Sequence, residues 1–133
     1  MIDKSAINGY LFDSNIIIDF LADDKAVKDL VNKAKIENKA IYFSMVSVCE
    51  IYSGSNNEEI VILDKLFASE RCLDVTLNIS REAGLLRRRL LRENRNIKTP
   101  DAIIAATAKC NHLFLVTRDN DFKSLKECNV ILI

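Results

Sequence analysis

The sequence predicts one α/β domain: a three-layer α/β/α sandwich around a central parallel sheet of about five strands. Three observations carry that expectation. Short apolar runs rich in β-formers alternate with longer segments of helical period, and strands separated by helices pair in parallel through right-handed crossovers. At 133 residues, with one proline and three glycines, the chain has the size of one domain and no linker-like composition. No internal repeat divides residues 1–133.

In chain order, Gly9 to Phe12 reads as a first strand, Asn15 to Leu21 as a short helix and Asp24 to Asn38 as a second. Ala40 to Phe43 is a strand, and Ser44 caps a helix over Met45 to Tyr52 that Gly54 can end. Asn57 to Ser69 is helical, Cys72 to Val75 a strand, and Asn78 to Asn94 a long helix. Thr99 caps the next helix, with Pro100 at its first position. Leu113 to Val116 and Val130 to Ile133 complete the strands.

Composition excludes several classes. Formal charge is zero, so global electrostatics announce no nucleic-acid partner. No apolar run reaches the roughly 18 residues of a membrane span, and Met1 to Ser5 does not open a signal peptide, so a cytoplasmic setting is expected. Cys49, Cys72, Cys110 and Cys128 are widely spaced without a CxxC, and read as small core residues rather than a zinc or disulfide framework. His112 is the only histidine, which argues against His-rich metal sites and Ser-His-Asp triads, and there is no glycine-rich phosphate loop.

The chemistry lies in four acids, each placed where an apolar stretch ends or is interrupted. Asp13 follows the first strand; Glu50 sits within Ser44-Met-Val-Ser-Val-Cys-Glu50-Ile-Tyr-Ser-Gly54; Asp101 lies in the first turn after Thr99-Pro100; Asp119 follows Leu113-Phe-Leu-Val-Thr-Arg118. Charges in such places are costly unless paired or bound to a cation. Glu50 lies among Val46, Val48, Cys49 and Ile51 without the polar stripe of an exposed helix face, which suggests burial. Structural readings exist for each acid: Asx-turn capping for Asp13 and Asn15, a partly exposed helix position for Glu50, a helix-dipole role for Asp101, turn roles for Asp119 and Asp121. Ligands in open α/β sheets bind beyond the carboxyl ends of strands near a topological switch, and all four acids can meet there. Asp119, nearer the strand end, is the preferred fourth acid, with Asp121 in reserve. Ser47, one turn before Glu50, is expected to orient it, and Thr117 to bond a ligand or a neighbouring loop. Clustered carboxylates raise one another's pKa, and a bound Mg²⁺ or Mn²⁺ reverses that. An all-oxygen donor set suits such hard ions, which bind phosphate oxygens, activate water and stabilise a leaving oxyanion.

Positive charge is local. Arg81, Arg87, Arg88, Arg89, Arg92, Arg95 and Lys98 precede Asp101, and Ile79, Ala83, Leu86 and Leu90 mark the buried face of their helix. Arg81, Arg88, Arg92 and Arg95 lie roughly opposite that face, and Arg118 can join them on a surface suited to a polyanionic backbone. An acidic partner protein is the other use. Leu21, Ile36, Ile60, Leu63, Leu85 and Leu91 mark apolar surface for a homodimer or a bound regulatory helix.

Four segments in this order, Phe12-Asp-Ser-Asn-Ile-Ile-Ile-Asp19, Ser44 to Gly54, Pro100-Asp-Ala-Ile-Ile-Ala-Ala-Thr-Ala108 and Leu115-Val-Thr-Arg-Asp-Asn-Asp-Phe122, give the chain its resemblance. Over nearly its whole length it resembles PIN-domain proteins, specifically the VapC group of toxin ribonucleases of type II toxin–antitoxin systems. The resemblance implies a five-stranded parallel sheet and a Mg²⁺- or Mn²⁺-dependent endoribonuclease. Its metal pocket would be formed by Asp13, Glu50, Asp101 and Asp119, supported by Asn15 and Thr117. It implies a homodimer acting on RNA and held inactive by a small cognate antitoxin, with DNA bound only through the antitoxin's other domain. Many relatives carry Thr-Arg-Asn and then an acid before Phe; the compact Asp119-Asn-Asp121 leaves the last ligand open. The rival readings are a PIN nuclease of RNA processing that is not a toxin, a catalytically silent RNA- or protein-binding module, and a metal phosphatase.

Overall fold

The structure, a computed structural model, describes residues 7–68 and 71–133. The expected helix end at Ser69 and the reading of Met1 to Ser5 lie outside the described residues. β1 (Gly9–Phe12) leads to α1 (Ser14–Leu21), α2 (Lys25–Ile36), β2 (Ala40–Ser44), α3 (Met45–Ser53) and α4 (Asn57–Phe67). Then follow β3 (Cys72–Leu73), α5 (Leu77–Arg92), α6 (Thr99–Cys110), β4 (Leu113–Thr117), a 3₁₀ turn (Asn120–Phe122) and β5 (Asn129–Leu132). The five strands form one sheet in the order β3-β2-β1-β4-β5, every pairing parallel.

The sheet is covered on both faces, as a parallel sheet requires. Alternation along β1 and β4 divides the core. Tyr10, Phe12 and Val116 pack with Ile16 and Ile17 of α1, Val27 of α2, Ile51 of α3 and Leu63 of α4. Leu11, Leu113 and Leu115 pack with Ile79, Ala83, Leu86 and Leu90 of α5 and with Ala102, Ile104, Ala105 and Ala108 of α6. The small residues of α6 bring its axis close to the sheet and hold its first turn firmly. The predicted buried face of α5 is the observed one.

Boundaries differ from the sequence expectation where a cap sets them. α1 starts at Ser14 because the Asp13 side chain accepts from the Ser14 N–H. α5 starts at Leu77 because Thr76 caps the Ile79 N–H. Thr99, expected as a cap, is instead the first residue of α6; Lys98 holds the capping position without a side-chain bond, and Pro100 still sits in the first turn, where no N–H is needed. β3 keeps only the two residues that pair with Phe43 and Ser44. Of the cysteines only Cys128 is buried; Cys72 and Cys110 are half-buried and Cys49 is exposed, because α3 buries only Ser47 and Ile51. Ile36, Leu21, Leu85 and Leu91 are exposed, whereas Leu63 is 1% exposed and belongs to the core. His112 takes a left-handed turn (φ 54°) between α6 and β4.

Candidate active site

The strand order reverses between β1 and β4: the chain moves from β1 to β2 on one side and later adds β4 on the other. That switch point is where the candidate acids gather. Asp13 leaves β1 in extended geometry and becomes the N-cap of α1, only 6% exposed. Its Oδ1 accepts from the Ser14 N–H at 2.8 Å and its Oδ2 from the Thr117 hydroxyl at 2.8 Å. Thr117, fully buried at the end of β4, also accepts the Asp119 N–H at 3.0 Å. One threonine hydroxyl thus ties the exits of the two central strands.

Asp119 caps the 3₁₀ turn, its Oδ1 accepting the Asp121 N–H at 2.9 Å. Asp121 itself is exposed. Asp101 is half-buried in the first turn of α6. Burial, then the charges of Asp13, Asp119 and Glu50, push its carboxyl up to about 6, with Lys98 opposing. Burial also raises Asp13, the Thr117 and Ser14 hydrogen bonds pull it back, and the Asp119 charge raises it again. Asp101 therefore lies within the field of the other three acids, and Asp13 within that of Asp119.

Glu50 departs from its expected environment. The sequence suggested a buried position on an apolar helix, but α3 packs on one side only and Glu50 is exposed. Its partner is Ser14, whose hydroxyl donates to Glu50 Oε1 at 3.0 Å. Ser47, expected to orient it, is instead turned into the packed interior, fully buried, with no hydrogen-bond partner for its hydroxyl among the described residues. Asn15 is exposed on the first turn of α1. Among the described residues no three His, Cys, Asp or Glu side chains are placed to hold one metal ion together.

The arginines divide rather than forming one stripe. Arg95 and Lys98 line a recess of about 470 Å³ with Asp101, Asp119, Asp121 and Ser124. Arg88 and Arg92 are exposed further back on α5, beside Lys126. Arg81 pairs with Glu82, which also holds Lys109 near the far end of α6, away from Asp101. Arg118 faces Asp19 and Asp24. On the other flank of Glu50, α1, α3 and α4 leave an apolar recess of about 390 Å³ lined by Ile18, Leu21, Ile51 and Ile62, with Glu50 and Glu59 among its lining residues. Ser14 is the site neighbour to which motif reading gave no role. Ser14 had a signal, since it directly follows Asp13 in the first turn of α1.

Residues 10–127 match the model of the PIN domain. The chain belongs to the PIN-domain family. This PIN domain closely resembles VapC-family toxins of type II toxin–antitoxin systems. It is 34% identical over 107 residues, 80% of each chain, to ribonuclease VapC10 of Mycobacterium tuberculosis. Its fold matches a chain of VapBC2 from Rickettsia felis bound to a promoter DNA fragment, with a TM-score of 0.82, 21% identity and coverage of 93% and 98%. It likewise matches a chain of DNA-bound VapBC from Salmonella typhimurium, with a TM-score of 0.79, 18% identity and coverage of 94% and 98%. No helix among the described residues is long and apolar enough to cross a membrane.

Proposed function

We propose that the protein is a Mg²⁺- or Mn²⁺-dependent endoribonuclease that hydrolyses RNA phosphodiester bonds in the cytoplasm as the toxin of a toxin–antitoxin pair. The observation that carries this reading is the meeting of Asp13, Glu50, Asp101 and Asp119 at the sheet's switch point, where burial and then the charges of the other three push the Asp101 carboxyl up to about 6. The donor set fits a hard divalent cation: four carboxylates, oxygen only, with Asp13 already locked by two hydrogen bonds. Asp13, Glu50, Asp101 and Asp119 would hold it. Such an ion supplies Lewis-acid activation of the phosphate and of the attacking water.

The chain's own residues do the rest. Burial raises the Asp13 carboxyl, and the hydrogen bond that Thr117 donates opposes that rise by favouring the ionised form. Ser14 holds Glu50 at the rim of the cleft. Arg95 and Lys98, which line the same recess as Asp101 and Asp119, bring phosphate toward the acids, and Arg88 and Arg92 extend that cationic approach along α5. A small cognate antitoxin belongs to the same reading. The recess beside Glu50 is apolar with carboxylates in its lining, and suits a segment carrying apolar and basic side chains. Exposed Leu85 and Leu91 support a homodimer.

The test is cleavage of total RNA by the purified chain with and without Mg²⁺ or Mn²⁺, against Asp13→Asn. Metal-dependent cleavage lost in the variant is expected; equal cleavage by both would remove the assignment. A catalytically silent binding domain is the second reading, favoured by the spread of the four side chains as placed. Tight RNA binding without cleavage under any metal would select it.

A further inference from the structure

Two consecutive residues at the exit of β4 hold the two ends of α1. Thr117 donates to Asp13, the helix N-cap, at 2.8 Å. Arg118 reaches the opposite end: its Nε donates to Asp19 Oδ2 at 2.8 Å, and its Nη2 lies 3.1 Å from Asp24 Oδ1. The acceptors are themselves fixed. The Asp24 N–H donates to the Asp19 carbonyl at 3.0 Å, and Asp24 Oδ1 accepts the Val27 N–H at 3.1 Å as the cap of α2. Asp23, between them, sits at φ 61°, closing the corner.

This arrangement does not suit an arginine that reads phosphate. Phosphate recognition needs the guanidinium fork open. Here two of its nitrogens face two carboxylates, and the side chain is only 35% exposed. Turning it toward RNA would leave Asp19 and Asp24 facing each other without a cation.

We propose that Arg118 is a positioning residue of the acid cleft: by locking the far end of α1 to the β4 exit, it sets how Asp13 stands relative to Asp119. The inference rests on the divalent-metal reading above. α1 has only eight residues. Ile16 and Ile17 anchor its first half in the core while Ile18 and Leu21 are exposed, so without the Arg118 link the helix can pivot on that anchor and turn its N-cap carboxylate. Groups that orient metal ligands from behind typically control metal affinity by about 10- to 100-fold.

Manganese uptake by the full chain, measured by calorimetry without RNA, tests this. Parent, Arg118→Ala, Arg118→Lys and the pair Asp19→Asn with Asp24→Asn are compared at a temperature where circular dichroism finds each folded. Arg118→Ala and the double Asn variant are each expected to weaken manganese binding about tenfold or more. Combining them should add little, because they break the same link. Arg118→Lys should recover part, since an ammonium can face one of the two carboxylates. RNA binding in an Asp101→Asn background gives an independent readout: its salt dependence should not change on Arg118→Ala, whereas loss of a phosphate contact would lower the log–log slope by about 1. Parental manganese affinity in Arg118→Ala, or a lowered slope, overturns the inference alone. No manganese uptake by the parent overturns the metal reading, and this inference with it.

Discussion

Asp101 is the residue at which the site's electrostatics become measurable. Its carboxyl titrates near 6 in the folded chain against an ordinary 3.8. The folded protein therefore binds more protons than the unfolded chain between those values. Stability of the metal-free protein falls as pH rises through that window, and the whole penalty is present at pH 7. Asp101→Asn should remove it. We expect the metal-free variant to be more stable at pH 7 by about 1 kcal/mol. That is less than the ~3 kcal/mol that a two-unit shift represents, because solvent screens a half-exposed group. The gain should vanish below about pH 4, and cleavage should be lost. Urea unfolding at pH 7 and pH 4 checks it; a variant less stable than the parent at pH 7 contradicts the proposed penalty of burial and repulsion. Divalent metal should narrow the difference by stabilising only the parent.

At the scale of elements, two glycines behave oppositely. A Cβ on Gly9 would lie 2.3 Å from the Ala40 carbonyl oxygen across the β1–β2 ladder, so Gly9→Ala should destabilise by more than about 1 kcal/mol. Gly84, on α5, has nothing within 4 Å of its would-be Cβ, and Gly84→Ala should stabilise by roughly 0.5–1 kcal/mol. Denaturant midpoints of the two variants should move in opposite directions. These elements also mark what was legible in the sequence. The buried face of α5 could be read because Ile79, Ala83, Leu86 and Leu90 keep strict helical spacing. Asp13, Asp101 and Asp119 could be placed because each follows a strand or opens a helix, and topology brings such positions to one edge. Glu50 was misjudged as buried, because apolar neighbours in sequence do not reveal that α3 is covered on one side only. The Ser14–Glu50 and Arg118–Asp19–Asp24 links could not be read at all, since they join segments 36 and 99 residues apart at the first contact of each.

For the whole molecule, a neutral total conceals a divided surface. Arg81, Arg87 and Arg89 of α5 and Arg118 just past β4 have partners, whereas among the described residues Arg88 and Arg92 have no carboxylate within ion-pair distance. If both meet RNA phosphates, Arg88→Ala with Arg92→Ala should weaken binding and make its dependence on log salt shallower by about 1.4 for a single strand. An unchanged slope would confine the substrate to the recess of Arg95 and Lys98.

The bond between Thr117 and Asp13 spans 104 residues. On the ribosome, Asp13 is made 104 residues before the threonine that pins it. No fragment that ends before Thr117 can form that bond, so under the proposed function a product truncated there would be inactive. Activity would then require synthesis to pass Asp119.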